Sequence, residues 1–128
     1  MAQGVIVPVA KTLYLCDGTI GFPNQKTDVV GLFNSIRAPQ YPHRQTFVIF
    51  AQLTGRLGQV PFVLEMHAGS SAHIVETSNV HTLRFPSRNR LIQLAYTAHD
   101  WTFAQPGRYV IELYCDGNWV ADTPLEVN

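Results

Sequence analysis

Apolar positions along this chain fall in short runs cut by Gly, Pro, Asn and Asp. That pattern predicts strands and turns, because a strand spans only a handful of residues and the interrupters supply turn geometry. The runs are residues 11–17, 26–33, 45–54, 61–67, 72–77, 80–85, 90–97, 108–116 and 119–127. Residues 80–85 continue 72–77 beyond a bend at Ser78 and Asn79, so the count is eight or nine strands. Residues 18–25, punctuated by Gly21, Pro23 and Asn24, are expected to form a loop. Residues 38–42 (Ala-Pro-Gln-Tyr-Pro) must be extended, since each proline pushes its predecessor out of the helical region. No stretch of helical length holds a 3.6-residue apolar period free of proline and glycine.

Strands on this scale, joined by short polar turns, predict an all-β fold: a two-layer antiparallel β-sandwich of immunoglobulin-like type, with a small closed β-barrel as the alternative. Residues 1–128 form one domain, in keeping with the length. Two local signals sharpen the picture. Asp116-Gly117-Asn118 predicts a tight hairpin between the last two strands, and Pro124 places part of the final strand at a sheet edge or bulge. The Pro106-Gly107-Arg108-Tyr109 segment resembles a tyrosine corner, in which a tyrosine near a strand start anchors the preceding turn through its hydroxyl. Trp101 and Phe103, just upstream, are expected to cap that end of the core.

Taken together, these segments resemble a bacterial domain-of-unknown-function family of small cytoplasmic β-sandwich proteins. The resemblance rests on Tyr14-Leu15-Cys16-Asp17-Gly18 leading into Lys26 and Val30-Gly31-Leu32-Phe33, and on residues 38–42 before an apolar strand. It rests also on Phe103 with Pro106-Gly107-Arg108-Tyr109, on Asp116-Gly117, and on the closing Pro124-Leu125-Glu126-Val127. It implies the fold, the single-domain size and a cytoplasmic setting. It supplies no activity and no catalytic residues.

Charge changes the picture next. Charged residues reach only 14% and the net formal charge is zero, against about 25% charged in an average domain. Disorder, a basic nucleic-acid surface and an acidic tail are disfavoured. No window approaches the run of about 20 apolar residues that crosses a bilayer as a helix. Residues 1–10 carry no basic residue and are broken by Pro8, unlike a secretory leader. No nucleic-acid or membrane partner is therefore expected, and the predicted setting is cytoplasmic. Cys16 and Cys115 fall on opposite strand faces by parity, Cys16 away from Leu13 and Leu15 but Cys115 with Ile111 and Leu113. Free thiols are expected in place of a bridge, and the lone pair offers no zinc framework.

Three polar groupings are candidate chemistry. Glu65 and His67 share a strand face, and His73 lies across the predicted 68–71 link, so two imidazoles and a carboxylate are available to a metal if they converge. His99-Asp100 has the composition of a general base and its orienting carboxylate, but adjacent residues rarely point together and no nucleophile-elbow context exists. Arg84, Arg88 and Arg90 ring one turn. Residues 31–90 hold six basic and two acidic groups, whereas residues 91–128 hold one basic and five acidic, a distribution suited to contact between copies or with an acidic protein. No catalytic residue, metal ligand or cofactor is assigned.

One strand breaks the rule of one dry and one wet face. Phe47, Ile49, Ala51 and Leu53 occupy one side of residues 45–54, yet the other side carries Val48 and Phe50. Leaving two such side chains in water forgoes roughly 1.5–3 kcal/mol each, so either the 39–42 crossover or another subunit must cover them. The expected function is therefore a non-catalytic β-sandwich acting through protein contacts or self-association, with Val48, Phe50 and Trp101 as the interaction surface. A small-ligand or carbohydrate binder using Trp101 with Tyr96, or Trp119, is the alternative. A metal-dependent enzyme through Glu65, His67 and His73 stands third.

Overall fold

The computed structural model describes residues 6–23, 26–69 and 73–128. All regular structure among them is strand. Two sheets stack face to face, and neither closes into a barrel. The smaller sheet has the order β1 (Val9–Cys16), β5 (His43–Thr54), β9 (Ile92–Phe103). The larger runs β4 (Ser35–Ile36), β11 (Asn118–Val127), β10 (Gly107–Cys115), β6 (Gly58–Ala68). Beyond β6, the next position is shared by β7 (Ile74–Thr77) and β8 (His81–Phe85). A separate two-stranded hairpin joins β2 (Gly18–Gly21) to β3 (Thr27–Val30).

The core follows from alternation. On β6, Val60, Phe62, Leu64 and Met66 point inward; on β10, Tyr109, Ile111, Leu113 and Cys115 do so; on β5, Phe47, Ile49, Ala51 and Leu53 face them from the other layer. All belong to one continuous cluster of buried side chains. β9 reaches it only by a change of parity. Leu94 and Ala98 point inward with Phe47 opposite Ala98, but Gln45 lies opposite Trp101, so two residues of β9 oppose Thr46. The extra residue forms a β-bulge with Asp100 at a φ of 50°. The Asp100 N–H donates to Thr46 Oγ1 at 3.0 Å, and that hydroxyl lies 3.4 Å from Asp100 Oδ1. Beyond the bulge Trp101 and Phe103 turn into the core, where Trp101 meets Phe47 edge-on at 5.8 Å.

Three further sequence expectations can be placed. Tyr109 OH donates to the Gln105 carbonyl at 2.6 Å, closing the corner between β9 and β10. Asp116 and Gly117 both take positive φ, at 51° and 76°, as a two-residue turn matched to strand twist requires. Pro124 lies on β11 opposite Val110, where its other side meets no strand. Three expectations need correction. Residues 18–21 are strand, not loop, because they pair with residues 27–30; Asn24 and Gln25 of that expected loop lie outside the described residues. Among the described residues strands number eleven, the additions being short β2 and β4. β9 continues six residues beyond the expected end at Thr97, carried past the turn-like Asp100 by the bulge. The 68–71 link falls partly outside the described residues, as do residues 1–5 of the N-terminal reading.

The second face of β5 is covered from within the chain. Cys16, Val48 and Phe50 form a small separate cluster with Val29 of the hairpin packed on it. A Thr27 hydroxyl also donates to Gln93 of β9. The 39–42 crossover packs elsewhere: Ala38 and Tyr41 lie against the main core.

Candidate functional site

The outer face of the larger sheet is built by the residues that alternate with the core. β6 presents Pro61, Val63, Glu65 and His67; β10 presents Val110, Glu112 and Tyr114. Register sets Glu112 opposite Glu65, Val110 opposite His67, and Tyr114 between Val63 and Trp119. Asp122 of β11 lies on the far side of Glu112. Like charges directly opposed across two strands repel, and here a histidine sits between them. His67 Nε2 is 3.1 Å from Glu65 Oε1 and 3.1 Å from Glu112 Oε1. A carboxylate only accepts, so Nε2 carries the proton and both carboxylates share it. Tyr114 OH donates to Glu112 Oε2 at 3.3 Å. Burial first, then the charges of Glu112, Glu65 and Asp122, push the Tyr114 phenol above its ordinary range.

Beside this cluster the face is concave. An open groove of about 680 Å³ is lined by Pro61, Val63, Glu65, Val80, Tyr114 and the Asp116-Gly117 turn. Val80, 68% exposed, stands at the bend between β7 and β8. That bend is fixed by Ser78, a buried polar side chain. Its N–H donates to Leu64 O at 2.8 Å, its hydroxyl accepts from Leu64 N–H at 2.9 Å, and the same hydroxyl donates to Asn79 O at 2.9 Å. One serine thus completes the ladder of β6 while the neighbouring strand changes course.

The basic end lies below the groove. Arg84 is opposite Gln59 on the same outer face. The Arg88 carbonyl accepts from Gly55 N–H at 2.9 Å, and the carbonyls of Arg88 and Arg90 both accept from Thr54 Oγ1. Backbone bonds therefore pin the 86–89 turn to the β5–β6 turn while the arginine side chains stay exposed. Arg84 and Arg90 line one shallow depression with Leu91. Arg56 at the same end pairs with Asp116 at 3.0 Å.

Each candidate from the sequence has a definite place. Val48 and Phe50 are 9% and 4% exposed under the β2–β3 hairpin, and Trp101 is 4% exposed in the main core. None is an available contact surface; the hairpin and the β9 bulge, both unforeseen, bury them. Trp101 with Tyr96 likewise offers no open aromatic platform, whereas Trp119 is 52% exposed beside Tyr114. His73 does not join Glu65 and His67. Ile74 takes the position opposite His67, and His73 lines the end pocket formed by Gln105, Pro106, Gly107 and Arg108. Among the described residues, no group of three His, Cys, Asp or Glu side chains is arranged to hold a metal ion. His99-Asp100 belongs to the bulge, where Asp100 bonds Thr46. Glu112 and Tyr114 were missed because their meeting with Glu65 depends on β10 lying beside β6. The only advance signal was their outward parity on a strand whose other face is apolar.

A family model described as a family of unknown function, DUF6941, matches residues 11–128. The chain belongs to the DUF6941 family. No curated protein matches it. Among solved structures it is similar to the Pseudomonas fluorescens alkylpurine DNA glycosylase AlkC bound to DNA containing an abasic site analog, at a TM-score of 0.52 and 10% identity. The match covers 91% of this chain and 30% of that one. At this identity the likeness is one of fold alone. The DUF6941 chain thus shares a sandwich with part of a much longer protein.

Proposed function

We propose that this DUF6941 chain is a non-catalytic β-sandwich that works through protein contacts, by self-association or with a protein partner, in a cytoplasmic setting. One observation carries the reading. The outer face of the smaller sheet is covered by the chain's own hairpin, but the outer face of the larger sheet, with its groove, is covered by no described strand. That groove has apolar walls (Pro61, Val63, Val80), the half-buried ring of Tyr114 with exposed Trp119 on the neighbouring strand, and charged groups at its margin. Aromatic anchors with a polar rim are what protein interfaces use. Against catalysis, Thr77 donates to Ser78 O and Tyr114 to Glu112, so neither forms a nucleophile–base pair with His67. The strand sets β1-β5-β9 and β6-β10-β11, with a tyrosine corner before β10, support an immunoglobulin-like reading. The two buried free thiols suit a reducing compartment.

Light scattering on the purified protein, with mass spectrometry of whatever co-purifies, tests the proposal. A mass above 14.3 kDa or a stoichiometric protein partner is expected. A monomer with no partner at any concentration overturns it. A carbohydrate reading is favoured only by Trp119 beside Tyr114; quenching of Trp119 fluorescence by oligosaccharides, with no change on adding protein, would put it first.

A further inference from the structure

The groove on the outer face just described and the arginine turn beside it on that face are complementary in charge. The face holds Glu65, Glu112 and Asp122 on three adjacent strands, with His67 as the basic group between the first two. Arg84 stands next to the groove, opposite Gln59 of β6, and Arg88 lies on the turn that follows, with Arg90 adjoining. We propose that the arginine turn of one molecule docks in the groove of a second copy, with Arg84 and Arg88 against the carboxylates and against the rings of Tyr114 and Trp119. The inference rests on the contact-module reading and names its partner.

Guanidinium groups suit this face for two reasons. Their planar donor fork matches a carboxylate bidentately, and their flat surface stacks on aromatic rings, which ammonium groups do less well. The turn is also preorganised. Its backbone is bonded to Thr54 and Gly55, so docking freezes arginine side chains but not the loop. Single exposed ion pairs contribute little; the contact depends on several charges acting together while Val80 and Trp119 leave water. Zero net charge means that copies do not repel one another at long range. Turn and groove share one face, so a two-fold axis lets the turn of each copy enter the groove of the other, and a closed dimer follows.

Sedimentation velocity tests this on the full chain at about 20 mM and about 0.5 M NaCl, bracketing strong and weak screening. Wild type is expected to grow in mass with concentration at low salt and to dissociate at high salt. Two variants separate the halves of the contact: Arg84→Glu/Arg88→Glu removes the turn, and Asp122→Lys/Glu65→Gln removes the face. Each alone is expected to lose self-association by about tenfold or more. Mixed together, they retain one intact turn and one intact face, and should form a heterodimer weaker than the wild-type dimer but tighter than either variant alone. The neutral pair Arg84→Gln/Arg88→Gln serves if charge reversal perturbs folding. Variants that associate as wild type does would overturn the proposal while leaving the contact-module reading in place. A wild-type monomer at low salt would also overturn it, and the reading would then stand only on a co-purified partner.

Discussion

Replacing Ser78 by alanine is a sharp test of how the groove wall is held. Ser78 is 7% exposed, and its hydroxyl both accepts from Leu64 N–H and donates to Asn79 O, each at 2.9 Å. Alanine fits the space but leaves the Leu64 amide, in the middle of central strand β6, without its acceptor. An orphaned buried donor costs about 1–3 kcal/mol, and the lost bond to Asn79 O adds about 0.5–1 kcal/mol where water cannot substitute. Ser78→Ala is therefore expected to destabilise by roughly 2–3 kcal/mol. In a domain of this size that lowers Tm by about 6–12 °C. Urea denaturation followed by tryptophan fluorescence measures it, with an unchanged m-value showing that the midpoint shift reports stability. Thr77→Ala is the control: its hydroxyl donates to a neighbouring carbonyl at a more exposed position, so its cost should stay within about 0.5 kcal/mol. Equal, small losses for both variants would refute the claim that Ser78 completes the β6 ladder.

Other outcomes follow from the same bonds. Tyr109→Phe keeps the edge-on contact with Phe103 at 5.0 Å but removes the hydroxyl bond to Gln105, so a loss of about 0.5–1.5 kcal/mol in chemical denaturation is expected. Cys16 lies under a two-stranded hairpin and Cys115 in the main core; under native conditions a thiol reagent should modify Cys16 first, since opening the hairpin is a local event, and Val29→Ser should raise that rate without altering Cys115. Burial, then the charge of Asp116, pushes the Cys115 thiol up to about 11 from 9. A thiol whose folded value is raised keeps its full contribution below the unfolded value and loses it as pH rises, so stability should fall between pH 9 and 11, by up to about 3 kcal/mol. Cys115→Ala should flatten that slope measured by thermal melts across the range.

How much of this was legible in the sequence depends on how local each cause is. The Asp116-Gly117 turn, the corner at Tyr109 and the opposed directions of Cys16 and Cys115 follow from a few consecutive residues. Turn conformation and strand parity are local properties, and the structure agrees with each. β2 was hidden because Gly18–Gly21 has the composition of a loop and becomes a strand only by pairing with Thr27–Val30. The bulge at Asp100 was hidden for a related reason. Strict alternation from Leu94 puts Asp100 and Thr102 inward; adding one residue buries Trp101 and Phe103 instead, and nothing within β9 alone marks where the extra residue falls.

The apolar second face of β5 carries the more general point. Sequence reasoning was right that Val48 and Phe50 must be covered, because their exposure costs too much, and wrong to look for the cover in the 39–42 crossover or another subunit. The cover came from the adjoining hairpin, which spends Val29 and Thr19 inward and turns Ile20 and Val30 out. Burying one apolar face therefore displaced the problem by a layer: a thin hairpin has no core of its own and shows its second face to water. The larger sheet meets the same requirement differently. Its outer face is polar where Glu65, His67 and Glu112 satisfy one another, and apolar around Val63, Val80 and Trp119 and at Val110 and Ile74 on either side of His67. A face with charges held in fixed geometry and a limited apolar groove is compatible with a monomer in water and still able to bind. A uniformly apolar face would also bind, but is not compatible with a monomer in water. That balance is why we place the proposed contact surface on the larger sheet and not on the strand whose composition first drew attention.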